Sequence, residues 1–65
     1  MPRYRITMDD GRETVEECVD DAAATEYAME LLLDDGAEPG EEAAVYRLAG
    51  ERGAEDHVAT VEVPA

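Results

Sequence analysis

The side chains able to do chemistry here are carboxylates above all. There are eighteen Asp and Glu against five Arg, with no Lys, one Cys and one His, and the net charge is −13. Twelve of those acids lie between Glu13 and Tyr46, a stretch that no Lys or Arg interrupts. Carboxylates can act as a general acid and base, bind a hard cation, or accept hydrogen bonds from Arg and Lys. Acid–base work requires one carboxyl made unlike its partner by burial, and no acid here sits within an apolar run. Calcium binding needs alternating oxygen ligands over a loop of about twelve residues. Asp9-Asp10-Gly11-Arg12-Glu13 has the residue types but places Arg12 among them, and Asp34-Asp35-Gly36-Ala37-Glu38 fits no better.

Nucleophilic catalysis is equally poorly supplied. It requires a Ser, Thr or Cys activated by a base, and the chain has no Ser. Cys18 has acidic neighbours that raise a thiol pKa, so it reads as a small, partly buried hydrophobe. His57, the sole imidazole, reads as a surface residue beside Asp56. Glycine-rich phosphate loops and basic patches are missing from the sequence. These features predict a protein that is not an enzyme, with no cofactor and no metal site.

Recognition of basic groups remains. Glu26, Glu30 and Asp34 are spaced i, i+4, i+8 and lie along one stripe of a helix, successive members rising about 6 Å along its axis. Phosphates on one strand of duplex DNA repeat roughly every 3.4 Å along the axis, farther apart through space. A rigid row of carboxylates can therefore occupy Lys and Arg side chains that are arranged to hold a nucleic-acid backbone. Glu16, Glu17, Asp20 and Asp21 extend the row from the start of the helix, and Asp35, Glu38, Glu41 and Glu42 extend it beyond the end. The alternative is a solvated polar face.

The elements that must position these acids follow from hydrophobic period and turn chemistry. Arg3 to Met8 alternates, Tyr4, Ile6 and Met8 sharing one face, as in a half-buried strand. Asp10-Gly11 marks a tight hairpin turn. A second strand is expected from about Arg12 to Cys18, where poor alternation allows a bulge; a competing reading makes Glu13 onward part of one long helix. Asp20 or Asp21 is a good N-cap, Ala22 to Leu33 has high helix propensity, and Gly36 is placed to cap its C-terminus. Ala24, Tyr27, Ala28, Leu31 and Leu32 form the expected buried stripe. Asp34 and Asp35 sit unfavourably at the negative end of the helix dipole. Ala37 to Glu42 reads as a loop, Ala43 to Ala49 as a third strand, Gly50 to Asp56 as a turn, and His57 to Val63 as a fourth strand. The result is a single acidic α+β domain over 1–65: a small antiparallel sheet in the order β-β-α-β-β, with one helix on one face.

Sixty-five residues approach the lower limit for independent folding. With no Trp or Phe and three Tyr, the core must be built from Val, Leu, Ala, Ile and Met. A lone cysteine excludes an intramolecular disulfide and fits a reducing, cytoplasmic compartment. No apolar stretch follows Met-Pro-Arg-Tyr-Arg, so neither a signal peptide nor a membrane span is expected. A strongly negative surface disfavours direct contact with nucleic acid and anionic membrane. It favours a basic, nucleic-acid-binding protein or complex as partner, and like charge favours a monomer.

In length, and in its Glu13–Glu42 acids, the chain resembles the small acidic anti-CRISPR proteins encoded by phages and mobile elements, several of which mimic DNA in charge. That resemblance implies an inhibitor acting in the host cytoplasm, binding a CRISPR effector complex and competing with its target DNA. A surface rich in Asp and Glu and stripped of Lys also looks like a haloarchaeal protein, in which acidity is solvent adaptation. Distribution separates the two readings: the arginines (Arg3, Arg5, Arg12, Arg47, Arg52) lie toward the two ends of the sequence and the acids in the middle.

A core of this size supplies roughly 3–5 kcal/mol, while two exposed carboxylates about 6 Å apart repel by roughly 0.7 kcal/mol in pure water. Stability is therefore expected to rise with salt as the screening length falls from about 10 Å at 0.1 M to about 3 Å at 1 M. Thermal melts across that range test this, and a flat melting temperature refutes it.

Overall fold

The computed structural model describes residues 1–49 and 54–64. Five elements follow in the order β-β-α-β-β. Strand β1 is Arg3–Met8, β2 is Glu13–Glu17, α1 is Asp21–Asp34, β3 is Glu42–Ala49 and β4 is Ala54–Glu62. The strands form one antiparallel sheet in the order β2-β1-β3-β4. The expected α+β class and element order are therefore present, and the long-helix reading of Glu13 onward is not. Of the expected turn at Gly50–Asp56, residues 50–53 lie outside the described residues, while Ala54 to Asp56 already belong to β4.

Local chemistry accounts for each join. Gly11 at φ 91° carries the turn between β1 and β2, closed by its N–H donating to the Met8 carbonyl at 3.0 Å. The Asp20 side chain accepts from the Ala23 N–H at 2.8 Å and starts the helix. At the other end Asp35 is the last half-helical residue and Gly36, one step beyond, takes φ 74°. The Gly36 N–H then donates to Leu33 O and the Ala37 N–H to Leu32 O, the paired bonds of a Schellman ending.

One face of the sheet packs against α1. Register places Tyr4, Ile6 and Met8 of β1 opposite Arg47, Val45 and Ala43 of β3, and Thr14 and Glu16 of β2 on the same side. Tyr4, Ile6 and Val45 are the largest fully buried side chains, and Ala24, Ala28 and Leu32 of α1 close over this face. Small residues at 24 and 28 let the helix lie close to the strands. Tyr27 and Leu31, expected in the same stripe, are half-buried at its margin.

Strand β2 pairs in continuous register, without the bulge that its poor alternation allowed; the bulge is in β4. Val45 pairs with Ala59 and Tyr46 with His57, so Val58 is the extra residue. Beyond the bulge, Ala59, Val61 and Val63 point toward the helix. Before it the alternation shifts, so Asp56 lies on the helix side with Arg47, and His57 lies on the open side with Tyr46. The expected strand start at His57 is too late because Glu55 and Asp56, although charged, pair with Leu48 and Arg47 in the ladder. The sheet's other face carries Val15, Arg5, Tyr46 and His57 in one row, and no element among the described residues covers it.

Ile6→Ala removes a wholly buried side chain and is expected to cost about 2–5 kcal/mol, enough to leave the domain largely unfolded. Val15→Ala, at a position 44% exposed on the open face, is expected to cost about 1 kcal/mol or less. Circular dichroism melts of the two variants test this difference between the faces.

Candidate functional site

The short link from β2 to α1 brings two acidic segments face to face. The Cys18 N–H donates to the Pro2 carbonyl at 3.1 Å, anchoring the end of β2 beside β1, and the Asp20 cap turns the chain into the helix two residues later. Glu16, Glu17 and Cys18 thus form one wall of a cleft, and Ala23, Glu26, Tyr27 and Glu30 form the other. The helical members are spaced i, i+3, i+4, i+7, which places them on one face of α1. The cleft holds about 370 Å³. Its floor is apolar and aromatic, since Cys18 and Tyr27 both pack against the core. Glu16 lies on the helix side of β2 and Glu26 and Glu30 lie on α1, whereas Glu17 alternates to the open face of the sheet, across from Arg3.

Burial foremost, with Glu16 and Asp20 nearby, pushes the Cys18 thiol up. This keeps it protonated and a poor nucleophile. Burial, then the charge of Glu16 and a hydrogen bond to it, likewise raises the Tyr27 phenol. Both shifts come first from burial and then from neighbouring carboxylates, each of which makes creating another anion unfavourable.

The eight acids proposed from sequence separate into two groups. Glu16, Glu26 and Glu30 meet in the cleft, Glu17 borders it from the open-face side of β2, and Asp34 continues the exposed helical stripe. The other three are engaged within the fold. Asp20 is the helix cap. Asp21 accepts from the Tyr4 hydroxyl at 2.6 Å and from Arg47 Nη1 at 3.4–3.5 Å. Asp35 pairs with Arg12 Nη1 at 2.8 Å, which offsets its unfavourable place at the helix end. The cap role of Asp20 is a local one that the sequence marks, whereas no signal in the linear sequence marks the engagement of Asp21 and Asp35, because their partners lie far away along the chain.

The segregation of Arg from acid along the sequence does not persist in space. Arg5 lies with its guanidinium 4.9 Å from the Tyr46 ring centroid, forks onto Glu55 and also reaches Glu13 at 3.0 Å. Arg12 binds Asp10 at 2.6 Å and Asp35. Arg47 lies between Asp21 and Asp56, the latter at 3.3 Å. Each of these arginines is held by two carboxylates from different parts of the chain. None of the ion pairs among the described residues involves an acid of the cleft.

No protein-family model matches the sequence, and no curated protein or solved structure is significantly similar to it. The fold is that of a small α+β domain. Among the described residues no helix is long and apolar enough to cross a membrane. No group of three or more His, Cys, Asp or Glu among them is arranged to hold a metal ion.

Tyr4 joins the sheet to the first turn of α1, and its hydrogen bond to Asp21, with burial second, pushes its pKa up to about 12. The folded state thus favours the protonated phenol. Its contribution is whole below the ordinary value of 10.0 and is lost as pH rises toward about 12. Ultraviolet titration is expected to show one tyrosine ionising last, near pH 12, and Tyr4→Phe to remove that step. Persistence of the step in Tyr4→Phe would contradict this assignment.

Proposed function

We propose that this protein is an acidic inhibitor that binds the basic surface of a nucleic-acid-binding protein or complex in place of nucleic acid. The observation that carries this reading is the grouping of Glu16, Glu26 and Glu30 around one cleft, with Glu17 at its border, apart from every ion pair of the described residues. Carboxylates bound to internal arginines are already engaged, whereas those of the cleft and of the stripe through Asp34 have no arginine ion pair among the described residues. Lys and Arg side chains that hold phosphates also bind carboxylates, through the same charge-assisted hydrogen bonds. Opposed fields speed the encounter and make it sensitive to salt. A CRISPR effector complex, the target implied by the resemblance to anti-CRISPR proteins, is one such surface. Direct binding to nucleic acid is opposed by the same charge.

Salt adaptation of a haloarchaeal type is the second reading, favoured by a different observation. Exposed acids also occur away from the cleft, at Asp9 and Asp10 in the hairpin turn, Glu38 after the helix, and Glu42 and Glu62 at the far end of the sheet. Acidity spread over several surfaces is what solvent adaptation requires.

The two readings diverge for the triple variant Glu26→Lys, Glu30→Lys, Asp34→Lys. Under the inhibitor reading, tagged wild-type protein at about 150 mM salt, where charges are screened beyond about 8 Å, retains a nucleic-acid-binding protein and displaces labelled duplex DNA from it. The folded triple variant does neither. If the triple variant inhibits as well as wild type, the helical stripe is not the binding surface. If wild type retains nothing and folds only in molar salt, the acidity is solvent adaptation.

A further inference from the structure

The chain has three tyrosines, and two of them are centres of a repeated arrangement. Tyr46 lies beneath Arg5, its cross-strand neighbour, and that guanidinium is held by Glu13 and Glu55. Tyr4 is the cross-strand neighbour of Arg47; Asp21 accepts from both residues, and Asp56 holds Arg47 from the other side. In each case a tyrosine and two carboxylates from separate segments surround one guanidinium. Tyr27 has the same surroundings: Glu16 across the cleft on β2, and Glu30 on its own helix. Glu26 completes the rim on the helix. Among the described residues, no arginine ion-pairs with these carboxylates.

We propose that the cleft between β2 and α1 is a socket for a single arginine side chain of the partner protein. This rests on the reading of the protein as a binder of basic surfaces and specifies how such a surface is gripped. Three features favour arginine over lysine. A planar guanidinium has five N–H donors in a fixed fork, suited to carboxylates standing on opposite walls. It is more weakly hydrated than an ammonium and so is more readily moved onto the floor formed by Tyr27, Cys18 and Ala23. It also interacts favourably with an aromatic side chain, as Arg5 already does with Tyr46. The cleft volume of about 370 Å³ accommodates a guanidinium with part of its aliphatic stem. Exposed apolar residues flank the acid stripe, Val19 before the helix and Leu33 in its last turn, and provide contacts for the residues on either side of the arginine.

The test is a titration of the full chain with two blocked peptides of equal charge, Gly-Arg-Gly-Arg-Gly and Gly-Lys-Gly-Lys-Gly, followed by amide and tyrosine-ring NMR shifts. The arginine peptide is expected to shift Cys18, Ala23, Tyr27 and Glu30 selectively and to bind about 2- to 5-fold more tightly than the lysine peptide. Tyr27→Leu should bring that ratio near one. Because Tyr27 also packs on the core, the isosteric pair Glu16→Gln with Glu30→Gln provides an independent test, with selective shifts lost while circular dichroism is unchanged. Shifts spread equally over Asp9, Glu38, Glu42 and Glu62, or equal affinity for both peptides, would overturn the socket. A socket that fails while the triple charge reversal still abolishes DNA displacement leaves the inhibitor reading intact. A socket that binds arginine while the wild-type protein displaces no DNA from any retained partner removes the inhibitor reading instead.

Discussion

The structure depends on the burial of one narrow stripe of side chains between the central strands and the helix. Ile6 and Val45, neighbours in the middle of the sheet, lie beneath Ala24 and Ala28, and few other large side chains are fully enclosed. Burying a Val or Ile side chain supplies about 1.5–3 kcal/mol. That gain is set against the ordering of the backbone, at roughly 1–2 kcal/mol per residue, and the mutual repulsion of eighteen acids. With so little apolar surface to bury, where the charges sit becomes a condition for folding as well as for binding.

The distribution of arginines follows from that condition. Arg5 braces the open face by joining β2 and β4 across β1 and β3. Arg47 joins the helix start to β4, and Arg12 joins the hairpin turn to the helix end. Each links segments distant in sequence at a point where like charges would otherwise push them apart. These pairs are partly exposed, and such pairs are individually weak. Their significance is that they engage acids around the periphery of the fold, while among the described residues the cleft acids have no ion pair. One charge imbalance thus has two consequences: internal arginines fasten the scaffold, and the remaining carboxylates are the surface that the proposed inhibitor offers to a partner.

Much of the scaffold was legible because its signals are local. Alternation at Tyr4, Ile6 and Met8, the Asp10-Gly11 turn, the Asp20 cap and the unbroken helical run after it depend only on residues a few positions apart. The exceptions have physical causes. The bulge at Val58 cannot be seen in β4 alone, since it exists only relative to the Val45–Tyr46 register. The charged residues Glu55 and Asp56 do not look like strand, yet cross-strand pairing places them in one. Among the proposed site acids, Glu26, Glu30 and Asp34 follow from helical spacing, whereas the structural engagement of Asp21 and Asp35 depends on Arg47 and Arg12, far away along the chain.

By itself, the sequence determined the class of fold, the helix with its acidic stripe, and a net charge that favours basic partners over nucleic acid, since all of these arise from composition and short-range period. Only the tertiary structure decided which carboxylates are spent on internal arginines and which surround Tyr27. The reason is range: propensity and period act over one or two turns of chain, but a carboxylate's charge is neutralised by whichever cation the sheet register brings beside it.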